Sequence, residues 1–160
     1  LNQMTQSSIL FMTILMLIGG SPQGTAGGFK TTTLAVLILS IRAVFNHKQN
    51  PQCFGRRISM ETLNNATALF MLFMVLFVTG ALLISAFDQL PILDALFEAA
   101  SAIGTVGLTL GITPTLSTAS HCILIFLMFF GRVGGLTLIF ATVSGKRTEY
   151  KYPQEKITVG

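Results

Sequence analysis

The segment 103–111 combines residue types that can bind a cation through the backbone alone. Its core is Thr105, Val106, Gly107 and Leu108. Glycine permits torsion angles that turn successive carbonyl oxygens toward one axis, and Thr and Val are compact residues that hold a chain extended. Carbonyl oxygens arranged in this way can replace the hydration shell of an ion. The pattern predicts an ion filter in which side chains need not touch the ion.

The four core residues differ by one substitution from Thr-Val-Gly-Tyr, the core of potassium-channel filters. A Thr-Val-Gly triplet alone is common and also fits a turn or a strand end. Here it follows a helix-compatible stretch that a proline, Pro91, opens. We therefore predict a pore helix at 91–102 and potassium bound by the backbone carbonyls of Thr105, Val106 and Gly107.

A second unusual segment, 19–33, holds five glycines and a proline. No continuous helix survives this composition. The apolar runs on either side are each short for a membrane crossing, but together with the segment they make one crossing. Irregular backbone at membrane depth must face protein or water, so we predict a broken helix whose loop lies across an ion path.

The predicted gate residues in this loop are Gly27, Gly28, Lys30 and Thr31. A lysine at membrane depth is functional by default, because a charge there is costly. Lys30 could raise a barrier to cations or hold the loop against a partner. Alternatively, it could snorkel to the cytoplasmic interface as a solvated side chain.

Arg132 completes the predicted gate. It lies in the apolar stretch 129–138 and needs acceptors, because an unpaired buried charge is costly. The broken loop has spare carbonyls, so we predict that Arg132 hydrogen-bonds the loop and sets its closed position, with Gly131, Gly134 and Gly135 allowing close approach. A static helix-packing contact is the alternative.

The rest of the chain indicates an all-α integral membrane protein. Half of its 160 residues are hydrophobic and 10% are charged. The run 62–87 carries no charge and 115–145 carries only Arg132, so both can cross a bilayer. These features predict four units: a broken transmembrane helix at 1–45 with its loop at 19–33, a basic loop at 46–60, a helix, pore loop, helix repeat at 61–145, and a tail at 146–160.

Charge predicts the orientation. The segment 42–57 is basic without an acid and the tail is basic, so both are expected to be cytoplasmic in a multi-pass protein of the cell membrane. Asp88, Asp94 and Glu98, with no base nearby, predict an external, cation-attracting mouth. Because the basic residues flank membrane spans, a net charge of +4 reflects topology and we expect no nucleic-acid partner. With Leu1 first and no leader visible, we expect a fragment.

Other functions are less well supported. No nucleophile and base pair, metal cluster or paired carboxylates at catalytic spacing are visible, so we expect no enzyme and no cofactor. Phe29 breaks a likeness between the loop and a phosphate-binding Walker motif. Cys53 and Cys122 are assigned no chemistry. Two alternatives stay open: a secondary carrier of another solute that uses a discontinuous helix, and a structural membrane subunit.

Three motifs together, at 18–33, 104–111 and 130–135, resemble the Trk/Ktr/HKT superfamily of potassium transporters, in particular the Ktr-type membrane subunit; the tail at 152–160 is similar as well. The resemblance implies four helix, pore loop, helix repeats around one ion path. Gly107 matches the filter glycine of the fourth repeat.

By the same resemblance, residues 1–44 match the second helix of the third repeat, Lys30 matches its loop lysine and Arg132 the fourth-repeat arginine. The first two repeats and the third filter are missing, so this piece should not conduct alone. The resemblance also implies a homodimer in the bilayer, a cytosolic ring of nucleotide-binding regulatory subunits, potassium uptake along the electrochemical gradient and, in some members, sodium dependence.

Overall fold

The computed structural model describes residues 4–22, 24–46, 51–53 and 56–133. The described elements are the helices α1 (Gln6–Leu17), α2 (Thr31–Phe45), α3 (Met60–Asp88), α4 (Ile92–Gly104) and α5 (Thr118–Val133), the strands β1 (Gln52–Cys53) and β2 (Arg56–Arg57), and a 3-10 turn at Thr113–Thr115. The predicted helical class is confirmed. Gly134, Gly135 and the predicted tail at 146–160 lie outside the described residues.

Helix α3 is long and apolar enough to cross a membrane, and it is the only described helix that is. It has 29 residues with a mean hydropathy of 2.5, and at 1.5 Å per residue it measures roughly 43 Å. Ser59 caps its start, because the Ser59 Oγ accepts from the Thr62 N–H at 3.2 Å. Helices α1, α2 and α5 are apolar but shorter, with 12, 15 and 16 residues.

The chain between α1 and α2 leaves the helical conformation at Ile18 and re-enters it at Thr31. Its two ends are tied together by a parallel bridge between Ile18 and Phe29, in which the Gly19 N–H donates to the Phe29 carbonyl at 2.7 Å. The loop is therefore 18–30, shorter than the predicted 19–33 at its far end, because the Thr33 N–H already donates to the Lys30 carbonyl in the first turn of α2.

Helix α4 is the most enclosed element and packs against α1, α3 and α5. Ala95, Phe97, Ala99 and Ala100 are fully buried. The small alanine side chains let neighbouring backbones approach, which is typical of packing between membrane helices. The helix ends at Gly104, two residues beyond the predicted 102, so the irregular segment begins at Thr105 and not at 103.

The predicted basic loop at 46–60 contains a small hairpin that the sequence analysis did not anticipate. Strands β1 and β2 are two residues each and pair antiparallel, with Gln52 opposite Arg57 and Cys53 opposite Arg56. Met60, the last residue of the predicted loop, is the first residue of α3. The strand pairing provides hydrogen-bond partners for part of the backbone of this short connection.

Candidate ion filter and gating loop

The segment after α4 turns sharply into an irregular, mostly exposed strand. Thr105 caps α4 in the left-handed conformation (φ 52°), and the next residue, Val106, donates its N–H to the Ser101 carbonyl at 3.0 Å. Left-handed backbone recurs at Gly107 (φ 80°) and Gly111 (φ 92°). A Cβ added to Gly107 would meet no atom within 4 Å, so its backbone conformation, and not lack of space, requires glycine there.

The side chain of Glu98 holds this segment from behind. Glu98 lies on α4 and is only 4% exposed. Its Oε1 accepts from the Thr109 hydroxyl at 2.5 Å and from the Leu110 N–H at 3.3 Å, and its Oε2 accepts from the Thr113 hydroxyl at 3.1 Å. The two hydroxyl oxygens lie 2.6 Å apart. Both carboxyl oxygens are thus engaged by the stretch that follows Gly107.

This arrangement removes Glu98 from the predicted acidic mouth, and the mouth itself stays a prediction. Glu98 is buried against the chain and does not line an open entrance. One carboxylate oxygen of Asp88 is also hydrogen-bonded, because Oδ1 accepts from the N–H of Ser117, just before α5, at 3.1 Å. Asp94 is half-buried in the first turn of α4. The three acids were grouped by their nearness in sequence, whereas packing gives each a different environment.

The loop at 18–30 lies directly against Thr105, the first residue of the predicted filter. The Gly27 N–H donates to the Thr105 Oγ1 at 2.9 Å, although the two residues are 78 positions apart. A Cβ on Gly27 would lie 2.6 Å from the Ile103 carbonyl oxygen and 2.7 Å from the Thr105 Cγ2. Such distances are too short for any real side chain, so only glycine allows this contact.

Three consecutive carbonyls of the loop accept hydrogen bonds from two cationic side chains. The Lys30 Nζ donates to the carbonyls of Gly24, at 3.2 Å, and Ala26, at 2.6 Å. The Arg132 Nη1 donates to the carbonyl of Thr25 between them. The predicted contact of Arg132 with the loop is therefore present, and its effect on gating stays a prediction. The Lys30 ammonium contacts its own loop.

Gly131 makes a close approach, but to a different partner from the predicted one. A Cβ there would lie 2.1 Å from the Ile103 carbonyl oxygen, at the end of α4. Gly131 thus lets α5 touch α4, and the Arg132 side chain reaches the loop. The Ile103 carbonyl is enclosed on two sides by glycines, Gly27 of the loop and Gly131 of α5.

The predicted gate residues lie together at the loop, and one of them contacts the predicted filter. Gly27, Lys30 and Arg132 meet at the loop, and Gly27 joins this group to Thr105. Two further predicted gate residues shape the ends of the loop: Gly28 has φ 74°, and the Thr31 N–H donates to the Gly20 carbonyl at 3.4 Å.

The remaining filter residues, Val106, Gly107 and Leu108, are exposed in this chain, and ion binding by the carbonyls of Thr105, Val106 and Gly107 stays a prediction.

Sequence reasoning missed Glu98, Thr109 and Thr113 as parts of the site. The available signal was Glu98 itself, because it is the only charged residue in the stretch 95–104 of α4. An acid in such a stretch must find hydrogen-bond donors when the helix is buried. Among the described residues, no group of three or more His, Cys, Asp or Glu could hold a metal ion.

A helix interrupted by a glycine-rich loop, a long apolar helix and a short buried helix that ends in an irregular strand are features of a membrane transport protein. Residues 1–150 match the model of the TrkH family, described as a cation transport protein. The chain belongs to this family. The family is one of transporters, which confirms that the chain is not part of an enzyme, and the predicted membrane location agrees with it.

Individual relatives agree with the family. The chain is 39% identical to the potassium/sodium uptake protein NtpJ of Enterococcus hirae, over 99% of the chain and 37% of the relative. It is 36% identical to the Ktr system potassium uptake protein B of Bacillus subtilis, over 98% and 35%. For the protein of the same name from Vibrio alginolyticus the identity is 32%, over 100% and 35%. The chain spans about a third of the length of these relatives.

Proposed function

We propose that this chain is the gate-bearing part of a potassium uptake protein. In this proposal residues 105–108 form one strand of a selectivity filter and bind potassium through the carbonyls of Thr105, Val106 and Gly107. The loop at 18–30 lies across the ion path and closes it. The remaining strands of the filter come from other parts of the whole protein, since a carbonyl filter needs several strands around one axis.

The observation that carries the proposal is the hydrogen bond from the Gly27 N–H to the Thr105 Oγ1. A hydrogen bond between a glycine-rich loop and a filter residue is expected if the two act on the same path. Irregular backbone at both places is tolerated within a membrane only beside protein or water, which a pore supplies. The names of the three relatives described above are potassium or potassium/sodium uptake proteins, and they favour potassium as the ion.

The proposal includes partners and sidedness. The names of two relatives place them in a Ktr system, which supports an assembly with further components. We propose a homodimer of membrane subunits with a cytosolic ring of nucleotide-binding regulatory subunits. Residues 42–57 and the tail face the cytoplasm, because basic loops remain on that side. Sodium coupling follows the potassium/sodium relative and is part of the same proposal.

The test uses the full-length parent protein with its partner in a bacterium that lacks potassium uptake. Initial uptake rates of potassium and sodium are measured in parallel for the parent and for Gly107→Ser. Gly107 has φ 80°, so a serine strains the filter backbone although there is space for its Cβ. We expect the parent to restore potassium uptake and the variant to lose the preference for potassium.

Two outcomes would overturn the proposal. A parent that reaches the membrane with its partner but restores no potassium uptake would leave a carrier of another solute as the better explanation. An unchanged potassium preference in Gly107→Ser would remove residues 105–108 as the filter. Comparable amounts of both proteins in the membrane are the control for folding.

A further inference from the structure

We propose that Glu98 is a positioning residue for the filter, which sets the preference for potassium by hydrogen bonding and not by its charge. The inference rests on the proposed function, because it assigns a role within the proposed filter. Among the described residues, Glu98 accepts hydrogen bonds from Thr109, Leu110 and Thr113, and from none of the three residues expected to bind the ion. It acts through the segment 109–113, which directly follows them in the chain.

The geometry of Glu98 indicates a structural clamp. Its three donors, the Thr109 hydroxyl, the Leu110 N–H and the Thr113 hydroxyl, all come from one short stretch, 11 to 15 positions further along the chain. Thr109 extends the network, because its Oγ1 also accepts from the Gly111 N–H at 2.9 Å. Gly111 is one of the left-handed positions of the segment. A single side chain therefore fixes the backbone over five residues.

Burial makes the clamp strong. Glu98 is 4% exposed and Leu110 is 8% exposed, so water does not readily replace the hydrogen bond between them. Hydrogen bonds are electrostatically stronger in such surroundings than in water, and an unpaired group there is costly. The neighbouring residues of α4, including Phe97 and Ala99, are fully buried, so the helix that carries Glu98 is itself held in place.

The clamp matters for selectivity because the other face of the segment is open. Residues 105–109 are exposed in this chain, and a Cβ on Gly107 would meet nothing within 4 Å. Within this chain, packing around Gly107 does not hold the carbonyls in place, so the chain on either side of the filter must hold them. The filter residues are joined to α4 at one end and to 109–113 at the other. The spacing of their carbonyls therefore depends on how firmly 109–113 is held. Discrimination between potassium and sodium depends on the arrangement and number of such carbonyls.

Two substitutions of Glu98 separate positioning from charge. In Glu98→Gln the amide oxygen can accept from Thr109 and Leu110, and the amide nitrogen can donate to the Thr113 hydroxyl, so the clamp is kept without a carboxylate. In Glu98→Ala all three donors lose their acceptor. The experiment measures the ratio of initial potassium to sodium uptake rates for the full-length parent and both variants, with their amounts in the membrane.

We expect Glu98→Ala to lower the potassium to sodium ratio about tenfold, and Glu98→Gln to keep it within about twofold of the parent. A merely structural role would lower the amount of protein and leave the ratio unchanged. Equal losses in the two variants would show that charge is what matters, and an unchanged ratio in Glu98→Ala would show that the clamp does not position the filter. Either result overturns the inference.

A second pair of variants keeps the test valid if Glu98→Ala fails to fold. Thr109→Val and Thr113→Val together remove the two hydroxyl donors at nearly constant volume and without changing any charge. Thr115→Val is the matched control, because its exposed hydroxyl donates to the Ile112 carbonyl at 2.7 Å and does not contact Glu98. We expect the double variant to lower the ratio and the control to leave it unchanged; equal ratios in both would overturn the inference.

The two proposals fail in different ways. If the parent transports potassium and Gly107→Ser loses the preference, the filter stands, and an unchanged Glu98→Ala then contradicts the positioning role alone. If the parent transports no potassium, or Gly107→Ser keeps the preference, the filter itself is refuted and the role of Glu98 falls with it.

Discussion

The segment 105–113, which includes the proposed filter, and the loop at 18–30, the proposed gate, contact each other. They are held by opposite kinds of hydrogen-bonding groups, an acceptor for the segment and donors for the loop. A buried acid holds the filter segment by accepting hydrogen bonds from its hydroxyls and N–H. Two cationic side chains hold the loop by donating to its carbonyls. Both regions owe their shape to glycines in left-handed conformations, at Gly28 in the loop and Gly107 and Gly111 in the filter segment.

The difference lies in burial and in distance along the chain. Glu98 is buried and its partners follow within 15 positions, whereas Arg132 is exposed and lies 107 positions from Thr25. Exposed polar contacts contribute little to stability, and elements that move are drawn from the less stable parts of a structure. In the proposed function, this difference would suit a fixed filter beside a loop that can be released.

The largest effect is expected where α5 meets the end of the helix that leads into the filter. Gly131→Ala places a Cβ 2.1 Å from the Ile103 carbonyl oxygen, so α5 must move away from α4. Overpacking of this kind costs about 1–3 kcal/mol. We expect a lower unfolding temperature of the purified full-length protein in detergent and the loss of most potassium uptake.

Gly20→Ala is the matched substitution in the loop. Its new Cβ would meet only the Ala26 side chain, at 3.2 Å, which can shift by a few tenths of an ångström. We expect an unfolding temperature close to that of the parent. Equal destabilisation by the two alanines would contradict the expectation that the loop tolerates a methyl group at Gly20 and α5 does not tolerate one at Gly131.

A smaller effect is expected when the cations that hold the loop are removed. Lys30→Met removes the donor to the Gly24 and Ala26 carbonyls, and Arg132→Gln shortens and neutralises the donor to Thr25. Either change weakens the closed loop, so we expect potassium uptake to rise several-fold at an unchanged potassium to sodium ratio. Arg42→Gln, at an exposed position on α2, controls for the loss of a positive charge.

The double variant Lys30→Met/Arg132→Gln sharpens this prediction. Both side chains hold one loop, so their effects on uptake should be non-additive, with a coupling of about 0.5–3 kcal/mol. Strictly additive effects would mean that the two side chains do not act on the same loop position, and Arg132 would then be a packing residue.

The smallest effect is expected at the contact between the two regions. Thr105→Val removes the acceptor for the Gly27 N–H and keeps the volume of the side chain. A neutral hydrogen bond of this kind can contribute as little as about 0.5 kcal/mol, so we expect potassium uptake to rise only about twofold. Thr105→Ser keeps the hydroxyl and should behave like the parent; equal effects of Val and Ser would remove this contact from gating.

Local composition was enough to predict several elements. The glycines and the proline between 19 and 28 exclude a continuous helix, and the charge-free run at 62–87 predicts the long helix that the structure has at Met60–Asp88. The stretch opened by Pro91 is helical, as expected of a proline at a helix start. The ends of the helices were less well predicted. Helix α4 continues through Ile103 and Gly104, which pack against α5 and α1.

The sequence by itself determined where the backbone must be irregular and where it must be apolar, because those properties depend on residues that are neighbours in the chain. Only the tertiary structure decided that Gly27 meets Thr105 and that Gly131 meets Ile103, and it showed which carbonyl of the loop the predicted Arg132 contact uses, that of Thr25. It also showed that Glu98, predicted to lie at an external mouth, is buried and accepts hydrogen bonds from the segment 109–113. The physical reason is that α4 is enclosed by three helices, and enclosure decides whether a polar group faces water or must find its partner within the protein.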